Sequence, residues 1–201
     1  MLNSSFFKVL LLVALVWGGW SRFAGREVHP PDGEIAPTDP QQIAIDAAEP
    51  IKRGHWTLTP RAHYAIIARV LGHEHYRFDA LADLIPEDLA LGWGPMSDNA
   101  VLKHIDISQS GRFYFWKEAD GPTIDRDDIA VHSANTHVIP NDPTIARELS
   151  RIRVGQIVQL TGDLVDGTRD DGRWIKSSLV RNDTGAGACE VLLVRNVELV
   201  P

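Results

Sequence analysis

Apolar residues recur mostly at alternate positions from Trp56 onward, the period of half-buried strands. "HYAIIARVLG" alternates loosely and is rich in β-branched residues, which predicts a first strand from about His63 to Leu71. "DLIPEDLALGWGPMSDNAVLKHI" breaks the pattern. Pro86 among acidic neighbours reads as a first helical turn that Gly92 and Gly94 end, and Ser97 or Asp98 caps a second short helix through His104. "IDISQSGRFYFWKE" reads as one strand with Arg112, Tyr114 and Trp116 on one face and Phe113 and Phe115 on the other. The clearest helix start is "NDPTIARELSRI", with Asp142 as N-cap and Pro143 at the first position. Three more strand-like runs follow, "VGQIVQLTGDLV", "RWIKSSLVR" and "CEVLLVRNVELV". Strands this close together, with glycine at their kinks, predict a mainly β (α+β) domain: a small curved antiparallel sheet, an OB-like partly open barrel with short helical insertions.

The ends of the chain change the picture. Residues 9–20, "VLLLVALVWGGW", are uncharged and apolar, and counting back to Phe6 gives about fifteen residues with Lys8 inside. A spanning helix normally needs roughly 20, which Lys8 reaches by snorkelling and Phe6 and Phe7 by extension. Trp17 and Trp20 sit where interfacial anchors belong, and no good peptidase site follows. Residues 1–24 are therefore expected to be an uncleaved single-pass anchor in the inner membrane, with the C-terminal domain periplasmic. Five prolines between Gly25 and Pro50 describe an extended linker, within which "QQIAIDAAE" has the composition of a helical turn or two. Residues 51–201 are left as one folded domain of ordinary size within a chain of 201 residues. A net charge of −7 with scattered basic residues makes nucleic acid an unlikely partner.

Candidate chemistry is sparse. "DTGA" at Asp183 matches the tetrapeptide of aspartic proteases, but Arg181 and Asn182 precede it where an apolar strand should, so a glycine turn is the better reading. The turn's N–H groups form a candidate anion nest beside Asp183. Cys189, the single cysteine, has no histidine near it in the chain and reads as a small buried hydrophobe rather than a nucleophile. His73 and His75 share a strand face, and "HSANTHVIP" adds His132 and His137 around Asn135, so these four are candidate zinc or copper ligands. No HExxH or Cys/His pattern accompanies them, and no cofactor is indicated. Trp93 between glycines is a stacking residue that Asp98 would help orient, and Arg112, Tyr114 and Trp116 have the look of a stacking platform.

"DLALGWGPMSD", "HSANTHVIP" and "DTGAGACE" together resemble blocks of a family of bacterial membrane-anchored proteins in which a short N-terminal segment precedes one small domain. The resemblance covers roughly residues 60–200, implies compartment and domain extent, and carries no activity with it. The expectation is an extracytoplasmic domain that binds a small ligand or an envelope protein, with Trp93, Asp98, Arg112, Tyr114, Trp116, Asn135 and Asp183 as binding residues and no catalytic residue. The rival is a metal-dependent hydrolase on the four histidines, with Asp98 or Glu190 as base. A third reading, an envelope-assembly component, uses exposed aromatics as its contact surface.

Overall fold

The computed structural model describes residues 26–201 except 120, 122, 182, 184 and 186. The expected membrane segment at residues 1–24 lies outside the described residues. Among those described, no helix is long and apolar enough to cross a membrane.

Among the described residues ten strands carry the fold: β1 (Gln41–Ala44), β2 (Ile51–Arg53), β3 (Trp56–His75), β4 (Glu87–Gly92), β5 (Ile105–Ser110), β6 (Phe113–Glu118), β7 (Ser133–Pro140), β8 (Ile157–Arg169), β9 (Trp174–Ile175) and β10 (Glu190–Val200). The helices are short: α1 (Asn99–Leu102), α2 (Arg126–Val131) and α3 (Pro143–Leu149). The main sheet runs β1-β3-β4-β7-β10-β8-β9 and curls until β8 also pairs with β3, so five strands form a partly closed ring. Pairing in the ring is antiparallel except between β7 and β10. β3 makes closure feasible by its length. Its first half lies between β8 and the short β1 and β2, and its last turns toward β4 past a bulge between Val70 and Gly72.

Alternation sorts the ring's side chains into an inner and an outer set. Tyr64, Ile66, Leu89, Leu91, Val138, Leu160, Leu164, Leu192 and Val194 fill the interior, and Ile145 and Leu149 of α3 join them. Asp142 caps α3 as the sequence implies, accepting from the amides of Thr144 and Ile145 at 2.7 and 3.1 Å. A second cluster outside the ring gathers Trp56, Leu58, Ile139, Val165, Val191 and Leu193.

Several expected elements differ, and of "RWIKSSLVR" only Trp174–Ile175 is strand, paired with β8. The residues after Pro86 form β4 rather than a helix, because Leu89 and Leu91 alternate with Asp88 and Ala90 and both strand edges are paired, by β3 and β7. That pairing satisfies a fully buried backbone which a one-turn helix would leave half unpaired. The aromatic strand is a hairpin, β5–β6, turned at Gly111 and Arg112, whose φ values are 58° and 73°. Two successive positive φ angles match the tight turn that keeps the native strand twist. Arg112 thus leaves the face of Tyr114 and Trp116, which pack with Ile107 against Ala90 and Met96.

The Pro-rich stretch expected to be a spacer lies against the domain. The Val28 amide donates to Val154 O at 2.8 Å, Ala36 is buried, and Gln41–Ala44 pair with β3 as a strand where a helical turn was expected.

β8 runs between β3 and β10, and Gly162 is paired on both sides, with Tyr64 and with Val194. A Cβ there would stand 2.0 Å from Leu193 O and 2.9 Å from its carbonyl carbon. These are backbone atoms of the paired strand, so the clash is relieved only by parting β8 from β10. Gly162→Ala is expected to destabilise the domain by about 2 kcal/mol or more, read as a lower urea midpoint at unchanged slope.

Candidate functional site

The β5–β6 hairpin, α2, the start of β7 and the loop entering β10 enclose a cavity of about 280 Å3. Five of the residues singled out from the sequence border it: Trp93, Tyr114, Trp116, Asn135 and Asp183. Phe113, Arg181, Cys189 and Glu190 complete its character, which is apolar wall with a polar floor. Gly185 and Gly187 take φ near 86° and 93°, which lets the loop turn back into β10, and Asp183 accepts 2.6 Å from Ser178 Oγ. A single aspartate tied to a serine in a turn is not the paired-carboxyl chemistry of an aspartic protease.

Glu190 is the chemically informative group. Arg181 Nη1 donates to its Oε1 at 2.6 Å, while Oε2 is buried without a hydrogen-bond partner. Burial pushes the carboxyl up to about 7, and the guanidinium only partly offsets this. The Tyr114 hydroxyl, also buried, lies toward Ser133 without completing a hydrogen bond. Arg181 spans the region, with its guanidinium carbon 5.8 Å from the Trp93 ring centroid.

Asp98 and Arg112 do other work. Asp98 Oδ1 accepts from Ala100 N at 2.7 Å and Gly33 N at 2.8 Å, which caps α1 and pins the N-terminal stretch. Its carboxylate is held low by those amides. Oδ1 of Asp98 is thus engaged within the fold, and the residue does not border the cavity. Arg112 reaches over the Tyr76 ring at 3.6 Å, donates to Asp79, and through Nη1 donates 3.1 Å to Asp88 Oδ1.

Asp88 is fully buried on the outer face of β4. Besides Arg112 it accepts from His137 Nδ1 at 2.8 Å, and Asn135 Nδ2 lies 3.4 Å from its other oxygen. Asp88 and His137 face each other directly in the β4–β7 register, and the parallel β7–β10 register brings Cys189 beside Asn135, whose Nδ2 lies 3.8 Å from Sγ. Burial pulls His137 down, but hydrogen bonds with Asp88 and with the Cys189 thiol outweigh it and raise the imidazole to about 9. Cys189 thus has a histidine neighbour that the chain order concealed. It and Phe113 also border a second cavity, about 340 Å3, together with His137, Trp174 and Lys176.

The four-histidine centre does not assemble. His137 is engaged with Asp88, and His132 Nδ1 pairs with Asp128 O at 2.8 Å while its ring packs edge-on against Trp93. Among the described residues, the group whose donor atoms lie within 4.8 Å of one another is His73, His75 and Glu87. His73 Nδ1 lies 3.0 Å from Ile152 O and must donate to it, yet Nε2 is also 3.0 Å from Glu87 Oε2. A proton or a cation has to sit between those two atoms. His75 Nδ1 adds a donor 3.6 Å from Glu87 Oε1. Burial drives Glu87 up, but its two histidine partners bring the carboxyl below its ordinary value.

Comparison with protein-family models, with curated proteins and with solved structures finds no match to this chain.

Glu190 and His137 give stability a distinct pH dependence. Both hold protons in the fold beyond their ordinary range, so both stabilise less as pH rises. The Glu190 contribution falls between about pH 4.5 and 7, the His137 contribution between about 6.5 and 9, each by at most roughly 3 kcal/mol. Glu190→Gln is expected to abolish the lower limb, leaving the variant more stable than the parent at pH 8, while the upper limb remains. Urea titrations across this range measure both limbs.

Proposed function

We propose that the chain is a ligand-binding domain built on an OB-like barrel, held at the outer face of the inner membrane by its N-terminal segment, and that the aromatic-walled cavity is its binding site. The five-strand order β3-β4-β7-β10-β8, returning to β3 with β7 and β10 parallel and α3 between β7 and β8, supports the OB-like reading. The resemblance to bacterial membrane-anchored proteins supports the compartment.

One observation carries the binding reading: a buried carboxylate oxygen, Glu190 Oε2, borders an aromatic cavity and has no partner. An unmatched acceptor of this kind costs about 1–3 kcal/mol, which a bound N–H or O–H donor recovers. The ligand class that fits is a small molecule with a flat apolar body and one such donor. The acidic net charge and the acidic residues around the hairpin disfavour a phosphate-rich partner.

N-phenyl-1-naphthylamine has this chemistry and fluoresces when desolvated. It is expected to bind with micromolar affinity, and Ala188→Trp, which fills the cavity, is expected to weaken binding more than tenfold, with Glu190→Gln weakening it less. Equal binding by parent and Ala188→Trp would place the dye elsewhere and remove the reading.

A second reading, metal-dependent hydrolysis, is favoured by the His73–His75–Glu87 group, whose two imidazoles and one carboxylate suit zinc with a fourth position open. It requires stoichiometric zinc after dialysis and a zinc-dependent rise in melting temperature that His75→Ala abolishes. His75 is half exposed, so its removal leaves the core intact.

A further inference from the structure

His73 faces two acceptors that a neutral imidazole cannot satisfy together. Its Nδ1 lies 3.0 Å from Ile152 O and its Nε2 3.0 Å from Glu87 Oε2. The neutral ring carries one N–H, so whichever nitrogen lacks it turns a lone pair toward an oxygen. A metal ion on Nε2 removes the conflict, because Nδ1 then keeps its proton for the carbonyl. A bridging proton serves only two atoms, and here a third donor is in place: His75 Nδ1 lies 3.6 Å from Glu87 Oε1, with the two imidazole centroids 4.2 Å apart. Bonds of about 2.0–2.1 Å in a tetrahedral zinc shell set neighbouring ligand atoms about 3.3 Å apart, and the observed 3.0 and 3.6 Å fall on either side of that spacing. Two imidazole nitrogens also favour zinc over magnesium or calcium.

The carbonyl behind His73 leads to the N-terminal stretch. Ile152 is buried, and two residues further on Val154 O accepts from Val28 N at 2.8 Å. Gly155 N donates to Val70 O at 2.8 Å, and Gly155, at φ 88°, lies so close against Val28 that a Cβ there would stand 1.7 Å from Val28 O. Residues 152–155 are thus tied to β3 on one side and receive Val28 on the other. We propose that zinc held by His73, His75 and Glu87 governs how firmly the N-terminal stretch docks on the domain at Val28. Polarised by the metal, Nδ1–H binds Ile152 O more strongly, which steadies the turn that receives Val28. In the neutral ring without metal, His73 meets either Glu87 or Ile152, and the turn loses that tie. The proposal rests on the zinc site of the hydrolytic reading and requires no hydrolysis.

The test uses the full chain in detergent, stripped of metal by a chelator and titrated with zinc at about pH 7.5, with amide hydrogen exchange at Val28 as the readout of docking. One equivalent of zinc is expected to bind and to slow that exchange about tenfold or more, whereas magnesium leaves it unchanged. His75→Ala is expected to abolish both the binding and the slowing. Coupling between two events is reciprocal, so Val28→Pro, which removes the docking N–H, is expected to weaken zinc binding by the same factor by which zinc slows exchange in the parent. Stoichiometric zinc that leaves Val28 exchange unchanged, with Val28→Pro binding zinc as the parent does, would overturn the coupling and leave the zinc site of the hydrolytic reading standing. Absence of stoichiometric zinc would overturn both.

Discussion

The buried carboxylate of Asp88 is the constraint around which the outer half of this domain is organised. A charge with no exposed surface is tolerable only if donors surround it, and here three donors come from two separate elements: Arg112 from the hairpin turn, and Asn135 and His137 from β7. Removing any donor would leave the others facing an undercompensated charge. The hairpin is therefore tied to the barrel by electrostatics as well as by the packing of Tyr114 and Trp116. The positive φ of Arg112 fits this account: strain at a non-glycine turn residue persists where several contacts over-determine it, and Arg112 donates to Asp79, Asp88 and Ile85 O while stacking on Tyr76.

Strand parity then separates two polar centres that lie close together in the sequence. Glu87 and Asp88 are neighbours in β4, so their side chains leave opposite faces of the sheet. Glu87 meets His73 and His75 from β3, whereas Asp88 meets His137 from β7. The four histidines look interchangeable as a list of ligands. In the fold they belong to different faces and have different acidic partners, and an ion cannot bridge the sheet between them.

What the sequence disclosed follows the reach of the interactions concerned. The cap at Asp142 and the turn through Gly185 and Gly187 are local, and they are legible because a few adjacent residues determine them. The β-rich character was legible through alternation, Trp93 through its bulk between glycines, and Tyr114 and Trp116 through their shared strand face. β4 was not legible, because a short run with two leucines suits either period and only its pairing on both sides decides. Nor was the placing of Cys189 beside Asn135 and at the cavity that His137 borders, which depends on the parallel register of β7 and β10, a long-range pairing that no spacing encodes. Asp98 was ambiguous for a related reason. An aspartate before a helix is both a good cap and a good ligand residue, and the capping role is the one that the amides of Gly33 and Ala100 fill.

The cap at Asp98 also shows how the N-terminal stretch bears on the site. Gly33 donates to Asp98, Ala36 accepts from Gly94 N and donates to Ser97 Oγ, and Asp39 accepts from Trp93 Nε1 at 3.1 Å. All of these anchor points fall within 93–98, the segment that begins with the tryptophan bordering the cavity. The indole is otherwise held only by packing, and a buried Trp N–H needs an acceptor. Asp39 supplies it from a segment too poor in apolar residues to fold alone. One wall of the cavity therefore depends on residues 33–39 being docked, and whatever orders that stretch also sets the position of Trp93.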